Sequence, residues 1–423
     1  MESSMGKEAI KGIEIYGLIG IFAIASIPMA GGSAGGREIM VLLLLNLVTV
    51  IVAYQCFLKC MEERVIALIG SMLYTWMPYR MDVLYKKADV CEAVFICLLP
   101  LVVLGAYQLL QENAQNKKKD LAWILLVIGL SGMLQFYGYG VVMTLGLLLL
   151  IGIFYGKAVF SIRMLLSVTK VFVATIIINC LVLLPVCKEL LTDRTAVYLA
   201  GMQPIQHKGG YLLHYVMAFF ANGSSREFDE MRIQATAPLG MGFAVTCLIF
   251  VYLWMCFTGT YKELRQRERS FCFAQKLALA GAILMFASTK FFPWDALRSN
   301  RILQILTCRM QSPMELVPVV TLCFTFLGCA VLRLFWKHTA REVAIYSCMA
   351  VVGIALLTTM FLVGELVMTK EVLQTLTRAE GNIKALLVAL TGCVLLGVYG
   401  VIASGKQHRK EDDYVEKVQS VEK

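Results

Sequence analysis

Charge is scarce in this chain. Only 16% of its 423 residues are Asp, Glu, Lys or Arg, where an average soluble domain carries about 25%. With 59% of residues hydrophobic, the apolar surplus does not fit inside one water-bounded core, and lipid has to cover the rest. Cysteine occurs 14 times, but no Cys-x-x-Cys pair and no His-rich segment accompanies it. Neither a disulfide framework nor a metal ribbon is therefore encoded, and the thiols read as small polarizable packing groups. The chain also lacks a Walker A phosphate loop and a His-Glu-x-x-His pair, which removes those NTPase and zincin chemistries. No repeat of 20–50 residues is visible, so the repeat architecture of many transporters finds no support. There is no cleavable leader of the usual form: the first apolar run, 12–30, is long enough to span and reads as a retained helix.

What the sequence does have is apolar runs close to the ~20 residues a bilayer requires. They fall at 12–30, 39–58, 64–79, 91–110, 120–136, 138–156, 163–187, 235–257, 272–290, 314–335, 343–364 and 383–404. Isolated strands would leave their amides unpaired in hydrocarbon, so the runs are read as helices. The stretch 120–156 is too long for one helix, and Gln135-Phe136-Tyr137-Gly138-Tyr139-Gly140 turns it into a hairpin. The expected fold is all-α: a polytopic integral membrane protein of about twelve transmembrane helices, with residues 1–404 as one transmembrane domain and 405–423 as a charged cytoplasmic tail.

The net charge of +10 resembles a nucleic-acid footprint until the basic residues are located. They cluster in short loops at 59–64, 117–119, 157–163, 262–269 and 333–341, and in the tail from 406. A cytoplasmic N-terminus puts all of these on one side, as the positive-inside rule requires. The same alternation places 31–38, 80–90, 137, 188–234, 291–313 and 365–382 outside. The expectation is a multi-pass protein of the plasma membrane with both termini cytoplasmic, membrane lipids as partners and no nucleic acid. Lys86, Lys87, Arg298, Arg301 and Arg309 break the rule. They either meet an anion such as a phosphate, or pair with Asp82, Asp89, Asp295 and lipid headgroups.

The most polar break between spans is Pro78 to Glu92. Asp89 and Glu92 stand one helical turn apart at the outer mouth of the fourth span. As a pair they suit a general base and a divalent-metal ligand, or a clasp on sugar hydroxyls. The alternative is a capping box, with Asp89 at the N-cap and Glu92 reaching back from N3. Arg80 and Asp82, with Tyr79 and Tyr85, suit ring stacking and hydroxyl recognition, or else form an aromatic belt with snorkelling charges. Lys188 to Gln234 holds a semi-apolar patch, 209–220, suited to the interface. Within that segment His207 and His214 share a helical face, yet no carboxylate or cysteine completes a zinc set, so no metal ligand is assigned. Trp294 belongs at headgroup depth. Glu14, Lys170 and Lys276 fall inside spans, where charge is costly; the lysines lie near cytoplasmic ends and can snorkel.

A family resemblance rests on an ordered set of motifs. The run Gly70-Ser71-Met72-Leu73-Tyr74-Thr75-Trp76-Met77-Pro78-Tyr79-Arg80 is followed by Tyr85, Ala88-Asp89-Val90-Cys91-Glu92-Ala93 and Leu99-Pro100-Leu101. Leu184-Pro185, Pro238-Leu239-Gly240-Met241-Gly242, Phe292-Pro293-Trp294 and Gln311-Ser312-Pro313 come after it in order. The set resembles the bacterial YfhO-like proteins and the group labelled 6-pyruvoyl-tetrahydropterin synthase related, which are similar to GT-C glycosyltransferases. The resemblance implies a site of outer loops acting on a polyprenyl-phosphate sugar. It makes Asp89 and Glu92 the acids, and Arg80, Asp82, Tyr85, Lys86, Trp294, Asp295, Arg298 and Gln311 the substrate contacts. The chain departs from the pattern in four places. Its first outer loop, 31–38, offers only Glu38; Cys91 stands where the family has Gly; Gln135-Phe136-Tyr137-Gly138 replaces a Ser-His at the tip of the fifth and sixth spans; and Ser312-Pro313-Met314-Glu315-Leu316 replaces a Phe-Pro-Trp-Arg-Phe motif. It resembles a shortened, diverged member, so a degenerate transferase, a scaffold of an envelope-assembly complex and a lipid or glycan transporter are all carried forward. The transferase further expects 80–92, 137, 208–220 and 294–311 to meet in one outer vestibule.

Overall fold

The computed structural model describes residues 2–27, 36–85, 89–115, 121–156, 159, 161–180, 183–184, 204–212, 215, 240–258, 269–300, 303–304, 307, 310 and 312–367. Among them the chain is helical, with no strand beyond one isolated bridge between Gly210 and Thr289. The helices are α1 (Glu2–Ser26), α2 (Gly36–Met61), α3 (Arg64–Thr75), α4 (Pro78–Tyr85), α5 (Val90–Gln115), α6 (Leu121–Phe136), α7 (Gly138–Tyr155) and α8 (Ile162–Ile178), then α9 (Phe243–Phe257), α10 (Arg269–Ala287), α11 (Trp294–Leu297), α12 (Val317–His338) and α13 (Arg341–Val367). Among the described residues six helices are long and apolar enough to cross a membrane, and four more are apolar but shorter. The chain is a helical membrane protein. Each expected span up to 343–364 overlaps a helix, although 64–79 is interrupted and 163–187 and 235–257 are described only in part; the run 383–404 and the tail 405–423 lie outside the described residues.

The chain divides into two compact units, Met1–Ile39 with Val367–Lys423, and Met40–Leu366. The first contributes α1, where Ile21, Ile24 and Ala25 are buried. The second is the helical body. Its axis is α12, buried at every residue from Val317 to Leu334. Around it α3, α9 and α10 pack, while α5 and α6 form a second tight pair. Close approach depends on missing side chains: a Cβ on Gly129 of α6 would stand 2.5 Å from Val102, and one on Gly281 of α10 would stand 2.6 Å from Cys323 of α12. Small residues at such seams let helix backbones approach in lipid.

Two prolines shape this part of the body. Pro100 has no N–H to give the Ile96 carbonyl, and Tyr74 supplies the missing donor from α3 at 2.6 Å. The expected span 64–79 does not run through. It stops at Thr75, Trp76 caps it, and Pro78 opens α4 as a separate short helix. The residue before a proline disfavours helical backbone, and proline is well placed in a first turn. That break turns the next residues, Tyr79 and Arg80, into the body instead of along the spanning axis.

Candidate functional site

Asp89 and Glu92 have different tasks. Asp89 Oδ1 accepts the Glu92 amide at 3.0 Å, so Asp89 caps the first turn of α5. The Glu92 carboxylate reaches another helix. It is buried, 4% exposed, and its Oε1 accepts the Tyr79 hydroxyl at 2.6 Å. One turn further along α5, the Phe95 ring lies 5.5 Å from Tyr137, the residue that breaks the α6–α7 hairpin. The Tyr137 hydroxyl donates to Glu315 Oε2 at 2.9 Å. Glu315 is 8% exposed, and its Oε1 accepts the Ser312 amide at 3.2 Å. The Ser312 hydroxyl in turn accepts from the Met314 amide, which completes a capping box ahead of α12. Burial first, then the Glu315 and Glu92 carboxylates, push the Tyr137 hydroxyl well above its ordinary pKa. Two buried acids, each hydrogen-bonded to a tyrosine, thus share one neighbourhood.

The connection continues outward from Ser312. Its hydroxyl also donates to the Lys208 carbonyl at 3.0 Å. Asp295 Oδ1 accepts the amides of Ile205 and Gln206 at 2.9 and 3.2 Å, capping the short turn Gln206–Lys208. Gln206 also donates to the Lys290 carbonyl at 3.2 Å, and Lys290 Nζ sits 3.9 Å from the centre of the Tyr211 ring. Hydrogen bonds therefore join 205–210, 288–298 and 312–315, and Tyr137 ties them to the acids. Of the expected vestibule segments, 86–88, 213–214, 216–220, 301–302, 305–306, 308–309 and 311 lie outside the described residues.

The remaining candidates are held by internal contacts. Trp294 Nε1 donates to the Ala287 carbonyl at 2.5 Å. Arg298 is buried, and its guanidinium donates to the Thr307 hydroxyl at 2.9 Å and to the Thr307 carbonyl. Arg80 is 0% exposed; its fork donates to the Thr75 carbonyl, Asn46 Oδ1 and Thr49 Oγ1 at 2.9, 2.6 and 3.2 Å. Tyr85 accepts from Asn46 Nδ2 at 2.7 Å, and Asp82 is buried on the same short helix. Lys86 and Gln311 lie outside the described residues, as do Arg301 and Arg309. Among the described residues no group of three His, Cys, Asp or Glu side chains is arranged to hold a metal ion.

Position 137 is expected in the vestibule, whereas Glu315 is the acid that the sequence does not single out as functional. The signature Ser312-x-x-Glu315 is visible, being the capping-box spacing, but nothing in one sequence pairs it with a tyrosine 178 positions away.

A small apolar cleft lies at the start of α4. Leu73, Trp76, Met77 and Pro78 form one wall, Met241, Gly242, Ala244 and Val245 with the α13 residues Ala355, Thr358, Thr359 and Leu362 the others. The first wall runs directly into Tyr79. What these elements define is a helical membrane protein with a buried acid–tyrosine cluster and an apolar cleft. No protein-family model, curated protein or solved structure matches the chain.

Proposed function

We propose that this chain is an integral membrane protein of the cell envelope that works at its outer end on a lipid-linked glycosyl group, with Glu92 and Glu315 as the acids. One observation carries the reading: the wall of the apolar cleft, Trp76-Met77-Pro78, continues into Tyr79, whose hydroxyl meets Glu92. The apolar lining of the cleft matches the chemistry of an isoprenoid unit, and a sugar suits carboxylates and tyrosine hydroxyls. Glycosyl transfer passes through an oxocarbenium-like centre that a nearby carboxylate stabilises, and the acceptor hydroxyl needs a base. The departing phosphate needs positive charge, for which Lys86 and Lys290 are the candidates. Asp89 is a cap in this reading and not an acid of the reaction.

The test is transfer of radiolabelled sugar from a polyprenyl phosphate in proteoliposomes, with and without added divalent metal. Glu92→Gln is expected to lower the rate at least about 100-fold, the usual scale for an acid–base group, while Asp89→Asn stays near wild type. A wild-type rate for folded E92Q overturns the assignment.

A second reading, a non-catalytic scaffold of an envelope-assembly complex, is favoured by a separate observation. Asp89, Asp295, Trp294, Arg80 and Tyr85 all make internal hydrogen bonds. It predicts no transfer by the wild type with any polyprenyl-phosphate sugar, and co-purification of envelope proteins that survives E92Q.

A further inference from the structure

We infer that Arg80 is a positioning residue that fastens α4 to α2 and thereby holds the Tyr79 hydroxyl against Glu92. An eight-residue helix does not hold itself together in isolation, so the orientation of α4 has to come from its neighbours. Arg80 supplies that from the first turn. Its fork spans the Thr75 carbonyl, left without an intrahelical partner where α3 ends, and Asn46 and Thr49 of α2. The second turn is tied to the same asparagine, because Asn46 Nδ2 donates to Tyr85 while Asn46 Oδ1 accepts from Arg80. Asn46 is thus a two-sided staple.

The partners of Arg80 are all neutral, and among the described residues no carboxylate pairs with it. Burying a cation without a counter-ion is costly, and a guanidinium offsets that cost by donating in several fixed directions where an ammonium is a single point. The arrangement therefore calls for the shape of arginine. Tyr79 is the adjacent residue, about 100° around the helix, and its hydroxyl lies 2.6 Å from Glu92. Rotation of α4 would carry that hydroxyl away from the carboxylate.

The inference stands on this geometry and not on glycosyl transfer, and its test needs no substrate. A hydrophobic carbodiimide modifies protonated carboxyl groups in apolar surroundings, and peptide mass spectrometry quantifies the adduct at Glu92 in the full chain in nanodiscs. Tyr79→Phe removes a donor to the carboxylate and is expected to speed labelling about tenfold. Arg80→Gln is expected to speed it comparably, Arg80→Lys less, and the double variant Y79F/R80Q no more than Y79F alone. A merely structural role would give effects that multiply. An unchanged rate in R80Q, or a double variant equal to the product of the singles, overturns the inference. Where R80Q does not fold, Tyr85→Phe releases the second turn; a twofold to threefold rise that vanishes in the Y79F background is expected, and no rise overturns it.

Discussion

The carboxylate of Asp89 and that of Glu92 sit three residues apart, yet the first faces the backbone of its own helix and the second faces a tyrosine on another. The reason lies at the helix start. An Asp at the N-cap is well placed to accept from the N3 amide, and here that amide belongs to Glu92 itself. With the cap filled, the Glu92 side chain is free to follow the inward face of α5 to Tyr79. Asp89→Ala should cost about 1 kcal/mol of stability and Asp89→Asn much less, read as thermal unfolding in detergent; equal losses would mean that the cap is not what matters. Tyr137→Phe should cost about 1–3 kcal/mol, because it leaves the buried Glu315 Oε2 without its tyrosine donor. The spacing of Asp89 and Glu92 was legible in the sequence as two alternatives, and only the direction of the Glu92 side chain separates them. That direction depends on Tyr79, whose inward turn follows from the break at Pro78.

At the scale of elements, the apolar runs announce helices well and their faces poorly. The helix α7 is apolar on all sides, so no stripe marks its inner face. In the structure Tyr139, Gly140, Met143, Thr144, Leu147 and Ile151 are buried at helical spacing, while Leu145, Leu149 and Ile153 are exposed. Lipid tolerates the same side chains as a protein interior, which removes the contrast that patterning uses in water. Where a side chain cannot fit, the contrast returns. Gly129→Leu should separate α5 from α6, since even a Cβ there meets Val102 at 2.5 Å. Gly146→Leu should be tolerated, since nothing lies within 4 Å of its Cβ position. Folded yield in detergent distinguishes the two, and equal yields would show that the α5–α6 seam is not close-packed. Tyr74→Phe belongs at this scale as well. It orphans the carbonyl that Pro100 had already released, at a cost of about 1–3 kcal/mol, and a stability equal to wild type would mean that another donor reaches Ile96.

For the molecule as a whole, the central question is which end of the helical body faces out, because the acid–tyrosine cluster lies at one end only. From the charge distribution of the loops, the positive-inside rule predicts a non-cytoplasmic Val90, at the start of α5, and a cytoplasmic end of α9. The cysteines provide markers at both ends: Cys91 is exposed at the first turn of α5, and Cys256 is partly exposed at the last turn of α9. A membrane-impermeant maleimide added to right-side-out vesicles should therefore modify Cys91 without permeabilisation and Cys256 only after it. Cys91→Ser should remove the corresponding share of the label from intact vesicles. If Cys91 reacts only in opened vesicles, the body is inverted, Glu92 and Glu315 face the cytoplasm, and a reaction with a donor on the outer leaflet is no longer open to them. If both cysteines react in intact vesicles, α5 and α9 start and finish on the same side, and the alternation of spans between them is broken. Labelling of Cys91 alone keeps the acids at the surface where a lipid-linked sugar in the outer leaflet presents its headgroup, which is the geometry the proposed transfer requires.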